Sequence, residues 1–112
     1  MKYNYPRKVL FRNKECEVIL IDWKPGVWSP IHEHGRGCRG VIIILQGTVK
    51  EFTYRRKGRR LIQNGKAMIL SKGMVAEEKE LGIHQIGNPV YFPAQTLHIY
   101  FPRAKNKEIK LT

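Results

Sequence analysis

Turn-forming dipeptides recur so closely along this chain that only short strands fit between them. Pro25-Gly26, Gln46-Gly47, Asn64-Gly65, Lys72-Gly73, Gly87-Asn88-Pro89 and Phe92-Pro93 all punctuate the sequence. Glycine admits positive φ, proline presets the first turn position, and asparagine bonds its own backbone. The pieces between them, residues 15–23, 41–45, 47–54, 66–70, 74–78, 82–86 and 96–101, read as strands. Residues 41–45 are a continuous apolar run, as expected of a fully buried strand, and 15–23 alternate before turning apolar. No stretch holds a 3.6-residue apolar period beyond one turn. The expected fold class is therefore all-β, a small antiparallel barrel or sandwich with little or no helix.

At 112 residues the chain has room for one core, so residues 1–112 are read as a single domain with a basic tail at about 103–112. No apolar run approaches the ~20 residues of a membrane helix. Met1 to Arg7 lacks the apolar centre of a signal peptide, which makes the cytoplasm the expected location. Cys16 and Cys38 are then expected as free thiols. The formal net charge of +12 is concentrated in Tyr54-Arg55-Arg56-Lys57-Gly58-Arg59-Arg60 and from Arg103 to Lys110. These are read as a solvated hairpin tip and a frayed end. Nucleic-acid binding is the competing reading, without a recognisable motif behind it.

The chemistry is carried by histidine. In Pro30-Ile31-His32-Glu33-His34-Gly35, extended backbone sends both imidazoles to one face and Ile31 and Glu33 to the other. A third imidazole from a distant strand, His84, would complete half of an octahedral shell and leave positions open for substrate. Neutral imidazole suits Fe, Zn, Cu or Ni. In Thr96-Leu97-His98-Ile99-Tyr100 the same alternation lines up Thr96, His98 and Tyr100 on one face. Buried polar groups need partners, and groups spaced this way satisfy one another. Trp23 and Trp28 are read as barrel-rim packing, and Met68 and Met74 as core filling.

Tyr5-Pro6-Arg7, Trp23-Lys24-Pro25-Gly26, Ser29-Pro30-Ile31-His32-Glu33-His34-Gly35, Leu45-Gln46-Gly47, Gly82-Ile83-His84 and Leu97-His98-Ile99-Tyr100-Phe101-Pro102 occur in an order that resembles the type I cysteine dioxygenases. These are thiol dioxygenases of the cupin superfamily, and the chain is similar to a short, bacterial-like member. The resemblance implies a cupin jelly-roll barrel. It implies His32, His34 and His84 as ligands of one Fe(II), with Ni or Zn as replacements on isolation. Arg7, with Tyr5 beside it, would hold the substrate carboxylate. Tyr100 would be the active-site tyrosine, with Thr96 and His98 as the relay behind it. Gly40 falls where animal members carry a cysteine cross-linked to the tyrosine, so Tyr100 is expected to be unmodified.

General cupins add a glutamate soon after the His-x-His pair; the only acid nearby in this sequence is Glu33, expected to point away. An all-imidazole shell leaves the metal its full attraction for an anionic thiolate. The function expected is oxidation of a small thiol by O2 to the sulfinic acid, with L-cysteine first and a 3-mercapto acid second. A metal-binding cupin without turnover, acting as sensor or scaffold, and a basic nucleic-acid-associated protein are the alternatives from other classes. Expected partners are the thiol and O2, with a homo-oligomer left open and no membrane.

Overall fold

The computed structural model describes residues 5–35, 37–78, 82–102 and 107–109. Among them the chain forms only strands and irregular connections: β1 (Arg7–Arg12), β2 (Glu17–Trp23), β3 (His32–Glu33), β4 (Arg39–Gln46), β5 (Thr48–Lys57), β6 (Arg60–Gln63), β7 (Met68–Ser71), β8 (Val75–Glu78), β9 (Ile83–Gly87), β10 (Ala94–Phe101) and β11 (Lys107–Glu108). One sheet runs β1-β2-β10-β4-β8 and the other β11-β3-β9-β5-β6, with β7 pairing β5. Every pairing is antiparallel. No helix among the described residues is long and apolar enough to cross a membrane.

Alternation decides which side chains face inward. On β2 the buried positions are Glu17, Ile19, Ile21 and Trp23; on β4 they are Gly40, Ile42 and Ile44; on β10 they are Ala94, Thr96, His98 and Tyr100. Register sets these into rows. Tyr100 lies between Glu17 and Gly40, His98 between Ile19 and Ile42, and Thr96 between Ile21 and Ile44. The polar row of β10 is thus walled by isoleucines, each worth ~1.5–3 kcal/mol when fully buried. Val49, Leu70 and Ile86 add to the core from the other sheet.

Two glycines are required by close approach. Gly47, between β4 and β5, has φ +74°, and a Cβ there would stand 2.6 Å from the Pro93 carbonyl oxygen. A Cβ on Gly87 would lie 2.2 Å from the Trp28 ring, which seats that indole on the end of β9. Trp28 also packs against Phe52 at 5.7 Å between centroids.

Several sequence expectations need correction. Met68 and Met74 are 52% and 45% exposed rather than core filling, because Met68 opens β7 and Met74 just precedes β8, strands toward the sheet edges. The basic segment, by contrast, is the exposed hairpin tip expected of it, with Lys57 of β5 opposite Arg60 of β6. Part of the supposed frayed end is paired: β11 lies along β3, and the Ile109 amide donates to the Ile31 carbonyl at 2.8 Å. Residues 103–106 and 110–112 of that tail lie outside the described residues.

Candidate metal centre

β3 and β9 place His32 directly opposite His84, and alternation from His32 carries His34 to the same inner face. All three rings are buried, and their ligand atoms form one cluster able to hold a metal ion. His84 Nε2 stands 3.1 Å from His32 Nε2 and 3.2 Å from His34 Nε2. Nitrogens sharing one face of an octahedron with bonds of ~2.1 Å are ~3.0 Å apart, and ~3.4 Å apart on a tetrahedral metal. The two observed edges, 3.1 and 3.2 Å, fall between these values and fit either shell.

Second contacts aim these lone pairs. His32 Nδ1 donates to the Pro30 carbonyl at 2.8 Å, which leaves its Nε2 bare. His84 Nδ1 donates to Glu51 Oε2 at 2.7 Å. Bare nitrogens facing each other at this separation repel unless a cation or a proton lies between them. Burial, then His84, pushes His32 down to about 3 despite the Pro30 bond. Burial, followed by His84, His32 and His98, drives His34 far below the usual histidine range. Both imidazoles are therefore neutral and metal-ready at neutral pH. His34 Nδ1 is buried without a formed hydrogen bond among the described residues.

Glu51 is the residue that sequence reasoning missed. Glu33 does turn away, its carboxylate 3.8 Å from Arg56, but the acid that matters to the cluster comes from β5. Glu51 is opposite Ile86, so it reaches His84 diagonally across the β5–β9 ladder. A carboxylate behind a ligating histidine fixes the tautomer and raises ligand basicity. The cluster is thus all-imidazole in its inner ring but anionic just behind it. The available signal was a carboxylate two residues after Val49 on the same strand face, a buried charge that requires a partner.

The second constellation lies on β10, in the other sheet. Thr96, His98 and Tyr100 are all buried. Thr96 Oγ1 is 2.7 Å from His98 Nε2, and His98 Nδ1 is 3.3 Å from the Tyr100 hydroxyl. Tyr100 and His34 bring the two groups together, their rings 5.2 Å apart. Trp23 is more than rim packing: its Nε1–H donates to Thr96 Oγ1 at 2.8 Å. Burial, with His84, Arg7 and His32 adding, pushes His98 down to about 3.

Arg7 opens β1 opposite buried Ile21, which puts it on the inner side of the sheet. Its charge adds to what disfavours protonation of both His32 and His98, as a nearby inward-facing cation should. Tyr5 is buried against Trp23, with ring centroids 4.5 Å apart. Glu17, unmarked in the sequence reading, is buried opposite Tyr100 and paired with Arg12. Cys38 donates to the Pro102 carbonyl at 3.4 Å, and burial, with Glu17 adding, pushes its thiol up to about 11. Gly40, not Cys38, is the residue facing Tyr100 in register.

Two antiparallel sheets closed over inward-facing histidines define a cupin, the double-stranded β-helix class. An uncharacterised conserved protein with a double-stranded β-helix domain from Klebsiella pneumoniae superposes with TM-score 0.73 at 18% identity, over 99% of this chain and 90% of that one. The protein TT1209 from Thermus thermophilus gives 0.71 at 23%, over 92% and 90%. Oxalate decarboxylase from Lactobacillus farciminis gives 0.73 at 13%, over 97% of this chain but 32% of its own. At such identities the likeness establishes the fold. The family model for cysteine dioxygenase type I matches residues 2–108, and the chain belongs to that family.

Proposed function

We propose that this protein is a non-haem Fe(II) thiol dioxygenase that converts a small thiol, L-cysteine first, to its sulfinic acid. The observation that carries the reading is the convergence of three buried imidazole nitrogens, one of them, His34, in ring contact with Tyr100, in a chain of this family. Bound by His32, His34 and His84, the metal would supply a redox-active Lewis acid with positions left for thiolate and dioxygen. The balance is simple: both atoms of O2 end on sulfur, sulfur is oxidised as dioxygen is reduced, and the thiol proton is released.

The chain's own residues bind and orient. The Arg7 guanidinium offers a planar fork for the substrate carboxylate, which a lysine would not reproduce. Glu51 holds the His84 ring and keeps its Nδ1 protonated. Tyr100, backed by His98, presents its phenol beside the cluster. The isoleucine walls around the β10 row keep water from its polar groups, so each hydrogen bond acts in a low-dielectric setting.

The test is oxygen consumption by iron-loaded protein over a panel of L-cysteine, cysteamine and 3-mercaptopropionate, with sulfinate identified by mass spectrometry. Sulfinate formed from cysteine supports the proposal, and preference for the 3-mercapto acid would change the substrate alone. Metal binding with no oxygen uptake for any thiol would leave a sensor or scaffold.

A further inference from the structure

The inner row of β10 ends on a group that can only donate. Trp23 Nε1–H reaches Thr96 Oγ1 at 2.8 Å, and Thr96 Oγ1 lies 2.7 Å from His98 Nε2. Indole nitrogen has no acceptor capacity, whereas a hydroxyl has one proton and two lone pairs. Thr96 is fully buried, and its flanking residues across the sheet are Ile21 and Ile44. With the Trp23 N–H donating to one Thr96 lone pair, the Thr96 proton has one acceptor in reach among the described residues, His98 Nε2. A buried hydroxyl left undonated would carry a desolvation cost.

That assigns the histidine. A neutral imidazole that accepts at Nε2 carries its proton on Nδ1, and Nδ1 faces the Tyr100 hydroxyl. His98 is neutral because its site, between Ile19 and Ile42, penalises charge. The reverse polarity would make Thr96 Oγ1 accept from both Trp23 and His98 and strand its own proton.

We infer that Trp23 is a positioning residue that fixes the direction of every hydrogen bond in the row, Trp23→Thr96→His98→Tyr100, so that Tyr100 accepts from His98 and uses its own O–H as a donor. The row is then not a proton wire. A proton leaving Tyr100 toward His98 would meet a nitrogen that is already protonated, and beyond Thr96 the indole N–H cannot take one. The thiol proton must depart by another route, and Tyr100 stays a phenol that donates. The donor role toward substrate rests on the thiol-dioxygenase reading; the polarity of the row does not.

Nitrogen-15 NMR of histidine-labelled protein decides this without turnover. Zinc would replace iron to keep imidazole signals sharp, and the His98 resonances would be assigned by their loss in His98→Gln. The expected wild-type pattern is protonated Nδ1 with bare Nε2 at His98. Trp23→Phe keeps the ring packing and removes the N–H. Thr96 can then accept from His98, and the single tautomer should give way to a mixture containing Nε2–H. A wild-type His98 protonated on Nε2 would overturn the polarity outright. An Nδ1–H tautomer unchanged in a folded Trp23→Phe variant would remove Trp23 from control. If that variant does not fold, the wild-type pattern still decides the direction of the row.

Discussion

Removing the charge of Glu51 should weaken metal binding by about tenfold while leaving the fold in place. Glu51 and His84 are each about 2% exposed, and Glu51 Oε2 accepts from His84 Nδ1 at 2.7 Å. Glu51→Gln keeps an acceptor of the same shape at that point, so the ring stays aimed and only the charge is lost. A hydrogen bond to a charged group contributes ~1.5–3 kcal/mol and a neutral one ~0.5–1.5. The difference, ~1–1.5 kcal/mol, is close to a factor of ten in affinity. Glu51→Ala also frees the ring and strands Nδ1, which places it toward the far end of the ~10–100-fold range for such partners. Competition against a chromophoric zinc chelator would measure both variants, with circular dichroism reporting the fold. Affinities within a factor of ~2 of wild type for both variants would refute the reasoning, since a tenfold loss is about 1.4 kcal/mol.

Tyr100→Phe should lower kcat by roughly 10²-fold, in line with loss of one aimed donor, with metal content unchanged; equal activity would take Tyr100 out of the reaction. Arg7→Ala should raise the KM for cysteine by about one to two orders of magnitude, from a charge-assisted pair worth ~1.5–3 kcal/mol. Cysteamine, lacking a carboxylate, should hardly respond, and equal responses would place Arg7 outside the pocket. His98 is held neutral at about 3 when folded, against 6.5 for the free side chain. Its contribution to stability is therefore full above pH 6.5 and is lost as pH falls toward 3, by about 2 kcal/mol at pH 5. Urea unfolding of His98→Gln should show a shallower acid slope than wild type, and an unchanged slope would refute the neutral assignment. Cys38, buried and with its thiol raised to about 11, should resist iodoacetamide at pH 8 while half-buried Cys16 reacts. An intact mass short of two hydrogens, mapped to the Cys38 and Tyr100 peptides, would contradict an unmodified Tyr100.

Where a strand alternates and is buried, it was legible: β2, β4, β5 and β10 lie within a few residues of where the pattern puts them. β1 was not, because Arg7–Arg12 is largely exposed and shows no alternation of polarity. β3 is two residues long, too short for any periodicity, and β6 continues a basic run. The same division holds at the site. His32 and His34, two apart in an extended segment, and the β10 row announce themselves because their spacing already states which face they share. Glu51 and Trp23 do not, because each meets its partner diagonally across a ladder whose register joins distant segments. Glu17 was hidden for a related reason, since its burial follows from pairing with Arg12 across a hairpin rather than from its neighbours.

The most direct measurement is a single reaction of anaerobically iron-loaded protein with L-cysteine under labelled dioxygen, the products resolved by mass spectrometry. Cysteine sulfinate carrying both labelled oxygen atoms is the expected product, abolished in the His84→Ala variant. Sulfinate with oxygen drawn from water, or cystine as the sole product, would contradict a thiol dioxygenase.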